Sequence, residues 1–209
     1  MRARLAVMTQ WRLFALTAYG ALALSLANAA GEPPGGKLVR RRLSTPAEIQ
    51  GYPYAAGYTW FFADGKLREC AVSRQIRFGE ITIPEKSWIN LRHDGDSDFV
   101  FLAHDTSVSG YRCKGGGPLG PMEGASTALY PGGKLKVCWL ATDTVVGGVP
   151  CAHASMLADA FGGGSATEFH ENGRLKSCKL SRDFRLAGYA FHSGEHVQLD
   201  EYGNLARNP

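Results

Sequence analysis

No apolar stretch in this chain is long enough for a permanent membrane span. The most apolar one, residues 13–26, has 14 residues, where a helix crossing a bilayer needs about 20. That excludes a polytopic membrane protein. The five cysteines include no C-x-x-C pair, and none has a histidine at zinc-finger spacing, so a structural metal site has no support. There is no P-loop, G-x-S-x-G, H-E-x-x-H or dinucleotide fingerprint. Charged residues are only 20% of the chain, and no heptad or G-X-Y period appears, which excludes a coiled coil and collagen. Hydrophobic residues make up 44%, too many for a disordered chain. With 209 residues the protein has room for one domain or two small ones.

Acid is missing altogether from the first 29 residues, which carry Arg2, Arg4 and Arg12 ahead of the apolar run. Ala27-Asn28-Ala29 follows as a small-x-small site. This is the pattern of a secretory signal peptide cleaved before Ala30. The predicted location is periplasmic or secreted, with no membrane span after cleavage. Removing three arginines takes the net charge from +4 to +1, so the mature chain has no nucleic-acid footprint. Export also permits disulfides. Residues 30–45 read as a flexible leader containing the basic run Arg40-Arg41-Arg42.

What is abundant is glycine, with 26 residues, and it recurs in phase. Turn dipeptides end at Gly65, Gly95, Gly133, Gly173 and Gly203 and are read as two-residue type I′ hairpin turns. Apolar residues occupy fixed offsets from these glycines: four before, then two, five, seven, thirteen and eighteen after. The rule holds at 25 of 26 positions, with Ser97 as the exception; chance would give about 11. A second phrase, apolar-x-Gly-[Tyr/Val]-x-apolar, fits between the turns, as at 49–54, 108–113, 146–151 and 186–191. The expected fold is all-β: five tandem β-hairpin units (46–75, 76–105, 106–143, 144–183 and 184–209) in an elongated or rolled antiparallel sheet, behind an N-terminal signal helix. Two insertions, 114–126 and 152–165, fall at one point of the unit, and 154–161 could add a short helix.

Residues 61–72 (FFADGKLRECAV), 129–140 (LYPGGKLKVCWL) and 169–180 (FHENGRLKSCKL) carry a resemblance to the MORN-type repeat family, in its bacterial YwqK-like, antitoxin-labelled branch. The resemblance implies an array of β-hairpins acting as a scaffold or binding surface, and it brings no catalytic residues.

The residues offer few sites. Lys66, Arg68, Lys134, Lys136, Arg174 and Lys176 take equivalent places after three turns and could align as a basic stripe. Asp94, Asp96, Asp98 and Asp105 only loosely imitate a calcium loop, because Phe99 stands where glycine belongs. No cofactor or metal is expected. Only one unit carries cysteine at both offsets five and eighteen, Cys138 and Cys151; a fold-back about Thr144 would set them opposite each other, so a Cys138–Cys151 bond is expected. The functional expectation is a non-enzymatic, exported binding module or scaffold of the cell envelope, recognising a protein or an envelope polymer. The alternative is an exported hydrolase with a site built from the two insertions, gathering His153, Asp159 or Glu123. Oligomeric state is not set by the sequence.

Overall fold

A computed structural model describes residues 37–79, 81–116, 125–155 and 166–206. The expected signal peptide and most of both insertions, including 156–161, Glu123 and Asp159, lie outside these residues. The described chain is all-β. Ten strands form one antiparallel sheet: β1 (Val39–Leu43), β4 (Gly57–Phe61), β5 (Leu67–Ala71), β8 (Trp88–Leu91), β9 (Ser97–Phe101), β12 (Ser126–Leu129), β13 (Leu135–Cys138), β16 (Thr167–Phe169), β17 (Leu175–Lys179) and β20 (His196–Gln198). They lie side by side in chain order. Between successive pairs the chain leaves the sheet for short hairpins: β2–β3 (Ala47–Ile49, Tyr52–Tyr54), β6–β7 (Ile76–Phe78, Ile81–Ile83), β10–β11 (Thr106–Val108, Tyr111–Cys113), β14–β15 (Thr144–Val146, Val149–Cys151) and β18–β19 (Phe184–Leu186, Tyr189–Phe191).

The periodic apolar positions are the core. Cys70, Val100, Cys138 and Cys178 are fully buried, as are Val72 and Leu140, with Leu102 and Leu180 almost so. They join Tyr54, Ile83, Cys113 and Cys151 of the short hairpins in a single cluster. The inner face of the sheet is therefore covered by the hairpins that its own strands feed. Three of the five covers are sewn on in the same way: Ala55, Lys114 and Ala152 donate backbone N–H groups to Ala71, Trp139 and Lys179, and Ser73, Ala141 and Ser181 donate back to Pro53, Arg112 and Pro150. Ser97, the one polar residue among the periodic positions, is 1% exposed and its hydroxyl has no partner. Ser97→Ala should accordingly raise stability by about 1 kcal/mol in urea unfolding, because it deletes a buried group that gains nothing.

The two turn types are the reverse of the reading above. In the long hairpins Phe62, Arg92, Tyr130, His170 and Asp200 donate N–H groups to Lys66, Asp96, Lys134, Arg174 and Asn204, and each glycine donates back to the first residue. Three residues thus lie inside each loop, and at Asp64-Gly65 and Asn172-Gly173 only the glycine has positive φ. This is a type I turn closed by a glycine bulge. Asp64, Asp94 and Asn172 precede their glycines because their side chains accept the N–H two residues on. Tyr130-Pro131-Gly132-Gly133 is instead a type II turn, with Gly132 at φ 78°, ψ 6°. The two-residue type I′ turns belong to the second phrase. Gln50-Gly51, Ser109-Gly110, Gly147-Gly148 and Ala187-Gly188 have positive φ at both residues, inside the closing pairs Ile49–Tyr52, Val108–Tyr111, Val146–Val149 and Leu186–Tyr189.

Two further expectations are corrected. The leader does not extend to residue 45, because 39–43 form β1, an edge strand paired with β4 from Val39–Phe61 to Leu43–Gly57. The sequence carried a signal: PGGKL occurs at 34–38 and again at 131–135. The arginine run lies on that edge, where charge discourages pairing with foreign strands. The bonded cysteines are Cys113–Cys138 and Cys151–Cys178, with Cα separations of 5.4 and 5.7 Å, and not Cys138–Cys151. The fold-back centres on Gly147-Gly148, so Cys151 faces Thr144. Each bond pins the last strand of a short hairpin to the sheet strand beneath it. Cys70 is free and buried against Tyr54 at the same place in the pattern, and burial pushes its thiol pKa up, so it stays neutral and inert.

Candidate binding surface

Alternation along each strand gives the sheet two chemistries. Thr59 and Phe61, Ile89 and Leu91, Val100, Cys138 and Cys178 point inward. Tyr58, Trp60, Trp88, Phe99, Phe101, Val137 and Trp139 alternate with them and stand on the outer face. Cross-strand registers place one outer residue of each strand in a continuous row: Arg40, Trp60, Glu69, Asn90, Phe99, Ala128, Val137, Glu168, Ser177, Gln198. A second row sets Ala71, Trp88, Phe101 and Ser126 side by side.

The aromatic residues crowd into the first half of this face. Tyr58 is 48% exposed, and the other rings are half-buried. Tyr58 meets Trp60 at 6.4 Å between centroids, Trp60 meets Trp88 edge to face at 5.6 Å, and Phe99 meets Phe101 at 5.4 Å. The Arg40 guanidinium sits 4.5 Å above the Tyr58 ring. All three tryptophans beyond residue 36 are on this side. A soluble sheet ordinarily gives its solvent face to polar residues, so an aromatic strip there is an interaction signal. It was also legible in the sequence, at the positions that alternate with the buried ones.

The six residues of the expected basic stripe lie along the turn edge and are largely occupied. Lys66 Nζ reaches the carbonyl of His93 at 3.3 Å, and Arg174 Nη1 that of Tyr202 at 2.7 Å. Arg68 donates to the carbonyl of Leu91 and faces Asp98. Lys176 pairs with Glu168 at 2.9 Å, which raises its pKa above the ordinary lysine value. Lys136 lies over the Tyr130 ring. Only Lys134 keeps no such contact. Lys66, Arg68 and Arg174 staple one turn to the next, while Lys136 and Lys176 are held within their own hairpins.

Along the same edge the first four short hairpins each reach past the next long turn to the one after it. Tyr52 reaches the carbonyl of Gly95, Gly79 packs on Gly132, Tyr111 lies 4.9 Å from the Phe169 ring, and Val146 shares a cleft with Gly203. One cleft here, about 590 Å³, is lined by Tyr52, Lys66, Arg92, His93, Asp94 and Asp96. Its polar groups bond one another: Arg92 pairs with Asp96 at 3.4 Å, and His93 meets Asp64 at 2.8 Å. The aspartates that imitate a calcium loop are therefore a salt-bridged hairpin turn.

His153, singled out for the alternative reading, bonds Asp143 at 2.7 Å while its own N–H also donates to that carboxylate. These contacts lower the Asp143 pKa. They stabilise the fold above the usual carboxylate range and are lost as pH falls through the lowered value. Asp105 and Asp183 take equivalent N–H groups from Gly115 and Ser193, ten residues on in each case. The aspartate is a recurring loop cap, and a histidine ring lies beside two of the three, His153 at Asp143 and His192 at Asp183, the latter at 3.7 Å. Among the described residues no three histidines, cysteines or acids gather at metal-binding distance. No known protein family, curated protein or solved structure matches this chain.

Proposed function

We propose that the protein is an exported β-repeat binding module of the cell envelope, built of five hairpin units, and that it works through the outer face of its sheet. The observation that carries this reading is the aromatic strip Tyr58–Trp60–Trp88–Phe101, on a face that none of the described hairpins covers. Two disulfides are compatible with an extracellular or periplasmic setting, in keeping with the signal-peptide pattern. The MORN-type phrase supports the same class of role, because stacked repeats gain a long surface and not a pocket.

The test is recovery with the envelope. Protein from export-competent cells should begin at Ala30 by intact mass and sediment with the washed envelope fraction. Tyr58→Ser with Trp60→Ser should leave export and folding intact and release the protein into the supernatant. Sedimentation that ignores both substitutions would remove the outer face from the proposal.

A further inference from the structure

Resting on that reading, we infer that the occupant of the outer face is an acidic polysaccharide, held by ring stacking and by the arginines of β1. The argument starts from charge. Lys37, Arg40, Arg41 and Arg42 are followed by no acid before Glu48. None of the four meets a carboxylate among the described residues, whereas Lys66, Arg68 and Lys176 of the turn edge do. In β1, Arg40 and Arg42 face Trp60 and Tyr58 across the strand pair, so their guanidinium groups flank the aromatic strip. Arg40 is already ordered on Tyr58, which reduces the entropy lost when it takes up an anion.

Geometry then selects the kind of anion. The outer residues recur once per strand, about 4.8 Å apart across the sheet. A linear polymer laid across the strands meets cation, ring, Glu69 and, beyond the buried Asn90, a second ring. A sugar offers each exposed group its match: an apolar C–H face for Trp60 and Phe99, a hydroxyl for Glu69, and a carboxylate or phosphate for Arg40 and Arg42. Glu69 opposes the anion, but Arg68 lies 4.0 Å from it and offsets its charge. A bilayer suits the face less well. Interfacial anchoring sinks apolar groups roughly 5–10 Å into the headgroup boundary, and half-buried rings flush with a sheet cannot reach so far.

The exported protein carries its reporter, since Trp60, Trp88 and Trp139 all lie on this face. Titration with polygalacturonate at low salt should change tryptophan fluorescence saturably, while neutral dextran at equal mass leaves it unchanged. Arg40→Ser with Arg42→Ser should weaken polygalacturonate about tenfold or more. Arg182→Ser with Arg185→Ser removes the same charge from the exposed fifth short hairpin and should change nothing. Equal binding of dextran, equal loss in both double variants, or binding of phosphatidylglycerol vesicles in place of the polyuronate would each overturn the inference. If polygalacturonate fails while envelope sedimentation still depends on Tyr58 and Trp60, the polymer class is wrong and the binding module stands. If both fail, both fall.

Discussion

Replacing Cys113 by Ile together with Cys138 by Val should lower the free energy of unfolding by about 3.5 kcal/mol while leaving the fold intact. The pair copies Ile83 and Val100, which fill the same two positions without a bond and are both fully buried. The substitutions thus remove the cross-link without opening a cavity. The bond closes a separation of 25 residues, for which the loss of chain entropy in the unfolded state gives about that figure. Cys151–Cys178, spanning 27 residues, should be worth about the same. Urea unfolding would show the loss as a lower midpoint, with a slope equal to or steeper than that of the parent because the unlinked chain exposes more surface. Non-reducing peptide mapping of the parent should return the 113–138 and 151–178 peptides and a single thiol, Cys70, that alkylates only after unfolding. A 138–151 peptide would contradict the strand register itself.

Gly79→Ala should cost on the order of 3–5 kcal/mol, several times more than Gly51→Ala, although both glycines sit in short-hairpin turns at positive φ. A methyl group on Gly51 meets nothing within 4 Å, so only the left-handed backbone is strained, by about 1 kcal/mol. A methyl group on Gly79 would lie 2.2 Å from the carbonyl oxygen of Gly132. Backbone cannot rotate away as a side chain can, so the second short hairpin must lift off the third long turn. Thermal unfolding of the two variants side by side would check this, and equal melting temperatures would show that the two turns do not touch.

Much of the core could be read from the sequence, because the columns that repeat at fixed offsets from the turn glycines are the ones the fold buries. Phe61, Leu91, Leu129 and Phe169 enter their turns as the pattern requires. What failed was the assignment of cause. Asp-Gly suggested positive φ at two residues, whereas Asp64 only accepts an N–H and Gly65 alone takes the left-handed conformation. The cysteine pairing failed for a related reason. A three-residue shift in where the chain reverses between Cys138 and Cys151 decides which residues oppose each other, and the reversal at Gly147-Gly148 falls in the second recurring phrase. The six basic residues were correctly grouped by register, yet register alone does not show that Lys66 and Arg174 reach the carbonyls of the next turn. The outer aromatic face carries no repeat mark, because the residues that alternate with the buried columns, such as Trp60, Asn90, Ala128 and Glu168, differ in type from unit to unit.

The side-by-side order of the ten strands has a consequence for how the protein acquires its shape as the chain is laid down from its leading end. Every strand pairs only with its neighbours in the sheet, and each short hairpin finds its supports within its own and the following long hairpin. No pairing waits for the two ends of the chain to meet. A strand that has just appeared needs at most the next few dozen residues to complete its bonds, so loop-closure costs stay small and structure can accumulate from the leading end. The first two hairpin pairs, which hold no disulfide, can close before any oxidation takes place. The later two can then be locked one after another, each cysteine meeting its partner as the strand beneath it arrives.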